Sequence, residues 1–133
     1  MPDPKQQDLK HPALNPEDVP FKTGTRYPKE MKGASEARKK RALGDALGLT
    51  KFGVNLVRMA PGTESSIRHW HTKQDEFIYV VQGELTMITD EGEQILTAGI
   101  AAGFKAGTAN GHCIVNRSGE DALYIEVGDR GPG

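Results

Sequence analysis

"PGTESSIRHWHTKQDEFIYVVQGE", Pro61 to Glu84, decides how this chain is read. Its second half, "EFIYVVQ", is rich in Phe, Ile, Tyr and Val and is bounded by "TKQD" and "QG", the pattern of a short strand between turns. Its first half sets His69 and His71 either side of Trp70 in "SIRHWH". Alternate side chains of a strand share a face. His69 and His71 then point one way with Ile67, and Arg68 and Trp70 point the other. Two imidazoles so placed can reach one ion. Spacing alone is equally satisfied if the histidine face meets solvent and Trp70 faces the core.

Outward from this stretch the same texture continues. "FGVNLVRMA", "ELTMIT", "EQILTA", "HCIVN" and "ALYIEVG" read as strands. The gaps "PGT", "DEG", "AG", "KAGTANG" and "RSGED" read as turns, and "ITDEGEQI" as a hairpin with Gly92 in its tight loop. Gly62, Gly83, Gly99 and Gly107 are expected to adopt φ > 0 in turns. Short strands with no helical pattern between them predict an all-β sandwich or barrel over residues 51–129, with a short tail at 130–133. Residues 1–50 form a different segment. Pro2, Pro4, Pro12, Pro16, Pro20 and Pro28 exclude a long helix or central strand there, so an extended arm is expected. Within it "SEARKKRALGDALGL" predicts a helix from Ser35 over residues 35–47, with Gly48 ending it and Gly44 weakening it. Arg38 to Arg41 would be a solvated face of that helix.

Composition narrows the function. The 133 residues are 36% hydrophobic and 26% charged, fitting one globular domain. The net charge of −1 gives no electrostatic case for nucleic acid. It is split between a basic residues 1–50, with ten Lys and Arg against seven Asp and Glu, and an acidic remainder, with seven against eleven. No apolar run is long enough to span a membrane, and no signal-peptide pattern opens the chain. The single cysteine, Cys113, excludes an internal disulfide framework, so a cytoplasmic setting is expected. Phosphate-cradling loops, dinucleotide fingerprints and nucleophile elbows are missing from the sequence.

Glu76 follows the histidine pair across a short turn and can return as a carboxylate ligand. His112 opens a later strand and can supply a fourth. Asp75 and Cys113 each neighbour one of these and, by parity, should face away; Cys113 reads as a small packing residue. Together the residues resemble the two motifs of the cupin superfamily, G-x5-H-x-H-x3-4-E-x6-G and G-x5-P-x-G-x2-H-x3-N. Gly62 precedes His69 by one residue more than the first motif, and His71, Glu76 and Gly83 follow at motif spacing. In the second, Gly99 and Gly107 fit, Lys105 replaces proline, and His112 comes two residues late, followed by Asn116. The resemblance covers about residues 52–128 and leaves the arm out.

It implies a single-domain jelly-roll barrel, a homodimer, and one divalent metal ion (Fe, Mn, Ni, Co or Zn) held by His69, His71, Glu76 and His112. Such a donor set leaves positions open for a small organic ligand. Either a dioxygenase or an isomerase/lyase would use them, with Glu76 as a possible base. Glu126 and Tyr79 are further base candidates whose facing the sequence does not fix. The alternative is a non-catalytic module that binds or senses a small molecule or metal. A metal-free isomerase needs only one histidine and a partner acid, and four ligand-type residues count against it. With Glu76 inward, Ile78 and Val80 line the interior while Phe77, Tyr79 and Val81 lie outside, covered by a partner chain or the arm. For "FGVNLVRMA", either Asn55, Val57 and Met59 or Val54, Leu56 and Arg58 face inward. Arg58 in the interior would favour an anionic substrate.

Overall fold

Strict alternation builds the central strands. In "EFIYVVQ", Ile78 and Val80 are buried while Phe77, Tyr79 and Val81 are exposed, so one face closes on a core. A computed structural model describes residues 8–23, 38–64, 74–107 and 111–129. Among these, nine strands form two antiparallel sheets. They are β1 (Lys22–Thr23), β2 (Arg38–Ala42), β3 (Phe52–Met59), β4 (Glu76–Gln82), β5 (Glu84–Thr89), β6 (Gly92–Thr97), β7 (Ala101–Phe104), β8 (Cys113–Val115) and β9 (Ala122–Asp129). The larger sheet runs β1-β2-β3-β9-β4-β7 and the smaller β6-β5-β8. Val57, Met59, Ile78, Val80, Ala122 and Tyr124 of the larger sheet pack against Leu85, Met87, Leu96 and Ile114 of the smaller. Burial of each Val, Leu, Ile or Met side chain here is worth about 1.5–3 kcal/mol, so this seam holds the two sheets together. The all-β jelly-roll expectation is met.

The inward set of β3 is now fixed. Val57 and Met59 are fully buried, whereas Arg58 is exposed and pairs with Asp121 on the outside at 2.8 Å. Asn55 therefore faces inward with them, and Arg58 takes no part in the interior.

The helix expected over residues 35–47 is a correction. Residues 35–37 lie outside the described residues, but Arg38–Ala42 is a strand paired antiparallel with β3. Helix α1 is confined to Leu43–Ala46. Partners distant in sequence explain the outcome. The run "RKKRA" alternates: Lys40 reaches Glu126, while Arg41 reaches back to the carbonyls of Pro16 and Val19 at 2.9 and 2.7 Å and lies over the Phe21 ring. Backbone pairing along β3 then outweighs helix propensity. Gly44, which weakened the helix on propensity, lets the turn pass close to β3: a Cβ there would stand a tight 3.1 Å from the Val54 amide nitrogen. Gly48 does end the turn, with φ of 76°.

The motif glycines Gly62, Gly83, Gly99 and Gly107 all have positive φ, as expected. Gly83 is the most constrained. A Cβ there would lie 2.9 Å from the Asp121 carbonyl oxygen, so the β4–β5 corner admits no larger residue without moving β9. The hairpin differs by one residue from its expectation: Asp90 and Glu91 form the loop, and Gly92 already pairs with Thr89.

Asn116 is the buried pin of the motif region. Its side-chain amide donates to the carbonyls of Met59 and Glu120, and its carbonyl accepts from the backbone and hydroxyl of Ser118. Its backbone N–H donates to the Thr63 carbonyl, and its own carbonyl accepts from Gly62. One fully buried asparagine thus ties the end of β3, the turn after it and the turn before β9.

Candidate metal centre

Two of the four expected ligands lie among the described residues, and the fold brings them together. Glu76 opens β4 and His112 immediately precedes β8, so they come from different sheets. His112 Nε2 lies 3.8 Å from Glu76 Oε1. His69 and His71 lie outside the described residues, as does the "RHWH" reading that first suggested them. The described chain leads up to them at Glu64, bridged to Val115, and away from them at Gln74. No cluster of three or more His, Cys, Asp and Glu is found among the described residues.

The surroundings fix both groups. The Phe104 ring stacks on His112 at 3.7 Å between centroids and 3° between planes. Phe104 stands directly opposite Glu76 in the β4–β7 ladder, so the residue that stacks on His112 is also the cross-strand neighbour of Glu76. His112 is buried, and both its Nδ1 and Glu76 Oε1 are sealed from solvent. A separation of 3.8 Å is too long for a hydrogen bond. It is short enough for both atoms to reach one ion. An imidazole and a carboxylate are also the donor types that a divalent first-row ion accepts. The described half of the set fits such an ion.

Asp75 is occupied elsewhere. Its Oδ1 accepts from the Ala106 amide at 2.7 Å, and its own N–H donates to Asp129 Oδ2, so it clamps strand ends. Cys113 forms no disulfide and is buried in the packing. Tyr79 is exposed on the outer face, which removes it as a base.

Glu126, whose facing the sequence left open, turns inward. It follows Ala122 and Tyr124 along the buried face of β9 and stands between Asn55 of β3 and Ile78 of β4. Asn55 Nδ2 donates to its Oε2 at 2.9 Å, and Lys40 Nζ lies 2.9 Å from the same oxygen. Lys40 was hidden in a basic run taken for a helix face. Read as a strand, "RKKRA" already separates Lys40 from Lys39 and Arg41. Phe104 was missed as well; strand parity along "AAGF" marks it as inward once β7 is placed beside β4.

The family model of the Cupin domain (Cupin_2) matches residues 55–128. A sugar phosphate isomerase of the cupin superfamily from Silicibacter pomeroyi superposes with a TM-score of 0.87 at 44% identity, over 91% of this chain and 77% of that one. A second candidate sugar phosphate isomerase, from Acidithiobacillus ferrooxidans, superposes with a TM-score of 0.72 at 29% identity, over 85% and 68%. The polyketide cyclase RemF from Streptomyces resistomycificus shares the fold at 20% identity, with a TM-score of 0.72 over 88% and 78%. The sequence matches none of the curated proteins. With a family model spanning more than half of its length, and with its two sheets arranged as in those neighbours, the chain belongs to the cupin family.

Proposed function

We propose that this cupin is a metal-dependent isomerase that interconverts hydroxycarbonyl compounds, with phosphorylated sugars as its substrate class. The observation that carries the reading is the meeting of Glu76 and buried His112 at 3.8 Å on the inner wall of the barrel. His69, His71, Glu76 and His112 would hold one divalent ion of the Fe, Mn, Co, Ni or Zn group. Such an ion supplies Lewis-acid polarisation of a bound carbonyl.

The chain's own residues do the rest. Phe104 holds the His112 ring in one plane. Ile78 and Val80 line the adjacent wall and keep water from the reacting carbons. A dioxygenase could use the same donors. The isomerase is preferred because the neighbour sharing 44% of its residues over nearly the whole chain is a sugar phosphate isomerase.

Protein loaded with Mn, Fe or Zn should convert at least one aldose phosphate of three to six carbons to the ketose phosphate, followed by NMR. Binding of those compounds without turnover would leave a binding module instead. Oxygen uptake that depends on an organic substrate would move the reading to a dioxygenase.

We further propose a homodimer. Phe77, Tyr79 and Val81 are more than 40% exposed on the outer face of β4. Ile125 and Val127 of β9 stand beside them in register, continuing an apolar strip. A second copy of the same strip would cover it about a two-fold axis. Light scattering should give twice the 14.4 kDa chain mass, and Phe77→Glu should reduce it to one chain. A monomeric wild type removes this part of the account.

A further inference from the structure

The inner face of the larger sheet is apolar along most of its length, and Val57, Met59, Ile78, Val80, Ala122 and Tyr124 are all buried there. The Lys40, Asn55 and Glu126 cluster breaks that pattern. Two donors from two different strands converge on one carboxylate oxygen, each at 2.9 Å. Lys40 and Glu126 keep 36% and 20% of their side chains exposed, so the pair carries only part of the desolvation cost of a buried one, which an aliphatic set would still avoid. Departures of this kind from the local packing rule gather where chemistry is done.

The strand register places the cluster relative to the metal centre. Glu126 stands opposite Ile78, and Glu76 is two residues from Ile78 on the same face of β4. The two carboxylate-bearing residues are therefore diagonal neighbours, roughly 7–8 Å apart at the backbone. Between them lies Gly128, directly opposite Glu76, where a Cβ would meet the Glu76 side chain only at ordinary contact distance. Gly53 stands beside Gly128 on β3, so on the β9 side, opposite to Phe104, this row of the sheet carries no side chain next to Glu76. A ligand a few carbons long, seated at Glu76 and His112, would lie over Gly128 with its first two carbons toward Glu126.

We propose that Glu126 is the proton-transfer residue of this site and that Lys40 and Asn55 are positioning residues that fix its carboxylate. The inference rests on the isomerase reading above. In the forward direction the Glu126 carboxylate takes the proton from C2 of a 2-hydroxyaldehyde. The C2–H bonding pair becomes the C1=C2 double bond, and the carbonyl pair moves onto O1. The proton that leaves the C2 hydroxyl is the one that O1 gains. Glu126 then returns its proton to C1 as the C2=O double bond forms. The product is the 2-ketose isomer, with no net change in atoms, protons or electrons.

The test is exchange in D2O, using aldose phosphates of three to six carbons and metal-loaded protein. Wild type should incorporate solvent deuterium at the carbon that accepts the proton, read by NMR. Glu126→Gln should lower that exchange by about 10²–10⁴-fold, the usual contribution of a positioned base. Its metal content and its thermal shift with the same compounds should stay at wild-type levels. Glu126→Asp keeps the carboxylate but withdraws it, so its exchange should fall between the two; it decides the matter if the glutamine variant does not fold. Lys40→Met should lower kcat more than it raises KM. Wild-type exchange in both Glu126 variants overturns the proposal and leaves the isomerase reading standing. Isomerisation by wild type with no deuterium incorporated overturns the proposal alone; neither isomerisation nor exchange with any of these compounds overturns both.

Discussion

His112→Ala should lose bound metal, with affinity falling by more than about 100-fold, since removal of even an outer partner of a ligand costs 10–100-fold. The expectation follows from what His112 contributes. It is buried, its ring plane is set by Phe104, and its Nε2 faces Glu76 Oε1 from the opposite sheet. Among the described residues none beside it can stand in on that side, because Cys113 and Ile114 follow it into the buried strand β8. Activity on any metal-dependent substrate should fall in parallel. Asp75→Asn is the informative control. It changes a carboxylate adjacent to Glu76, yet Asp75 is committed to the Ala106 amide and the Asp129 end of β9. It should keep its metal while losing a little stability. Equal metal loss in both variants would mean that the site tolerates no change near β4, and the specific role of His112 would fall.

Asn116→Ala carries the largest expected effect on stability, about 2–4 kcal/mol, measured as a shift of the urea midpoint at unchanged slope. Four side-chain hydrogen bonds disappear, and the Met59 carbonyl, on a fully buried residue, is left without its amide donor. The bonds to Ser118 and Glu120 lie nearer the surface, where water replaces part of what is lost. Asn116→Asp should be at least as damaging, because it sets a carboxylate oxygen against two carbonyls. A change below 0.5 kcal/mol, of the order seen for ordinary surface substitutions, would contradict the view that this motif asparagine serves folding rather than chemistry.

The barrel was legible in the sequence because period-two alternation in "EFIYVVQ" and "ALYIEVG", set between glycine-bearing turns, has few solutions other than paired strands. Facing followed wherever one residue of a strand was already anchored: with Glu76 inward, Ile78 and Val80 had to be buried. It was undecided for β3, where both faces carry apolar residues and only the neighbour across the ladder chooses. It failed for "RKKRA". Helix propensity is a local quantity, whereas that segment is a strand because β3 offers it a partner and because Pro16, Val19 and Glu126, all distant in sequence, receive its side chains. The same reason hid Lys40 and Asn55 from the candidate site. Ligand spacing is written along the chain, but a carboxylate held by residues from two other strands is written only in the register between them.

Elemental analysis of protein purified without added metal tests the central claim most directly. About one divalent ion per chain is predicted, lost on substitution of His112 or Glu76 by alanine and kept in Asp75→Asn. A wild type that carries no metal, and takes up none of Fe, Mn, Co, Ni or Zn when they are supplied, would contradict the account.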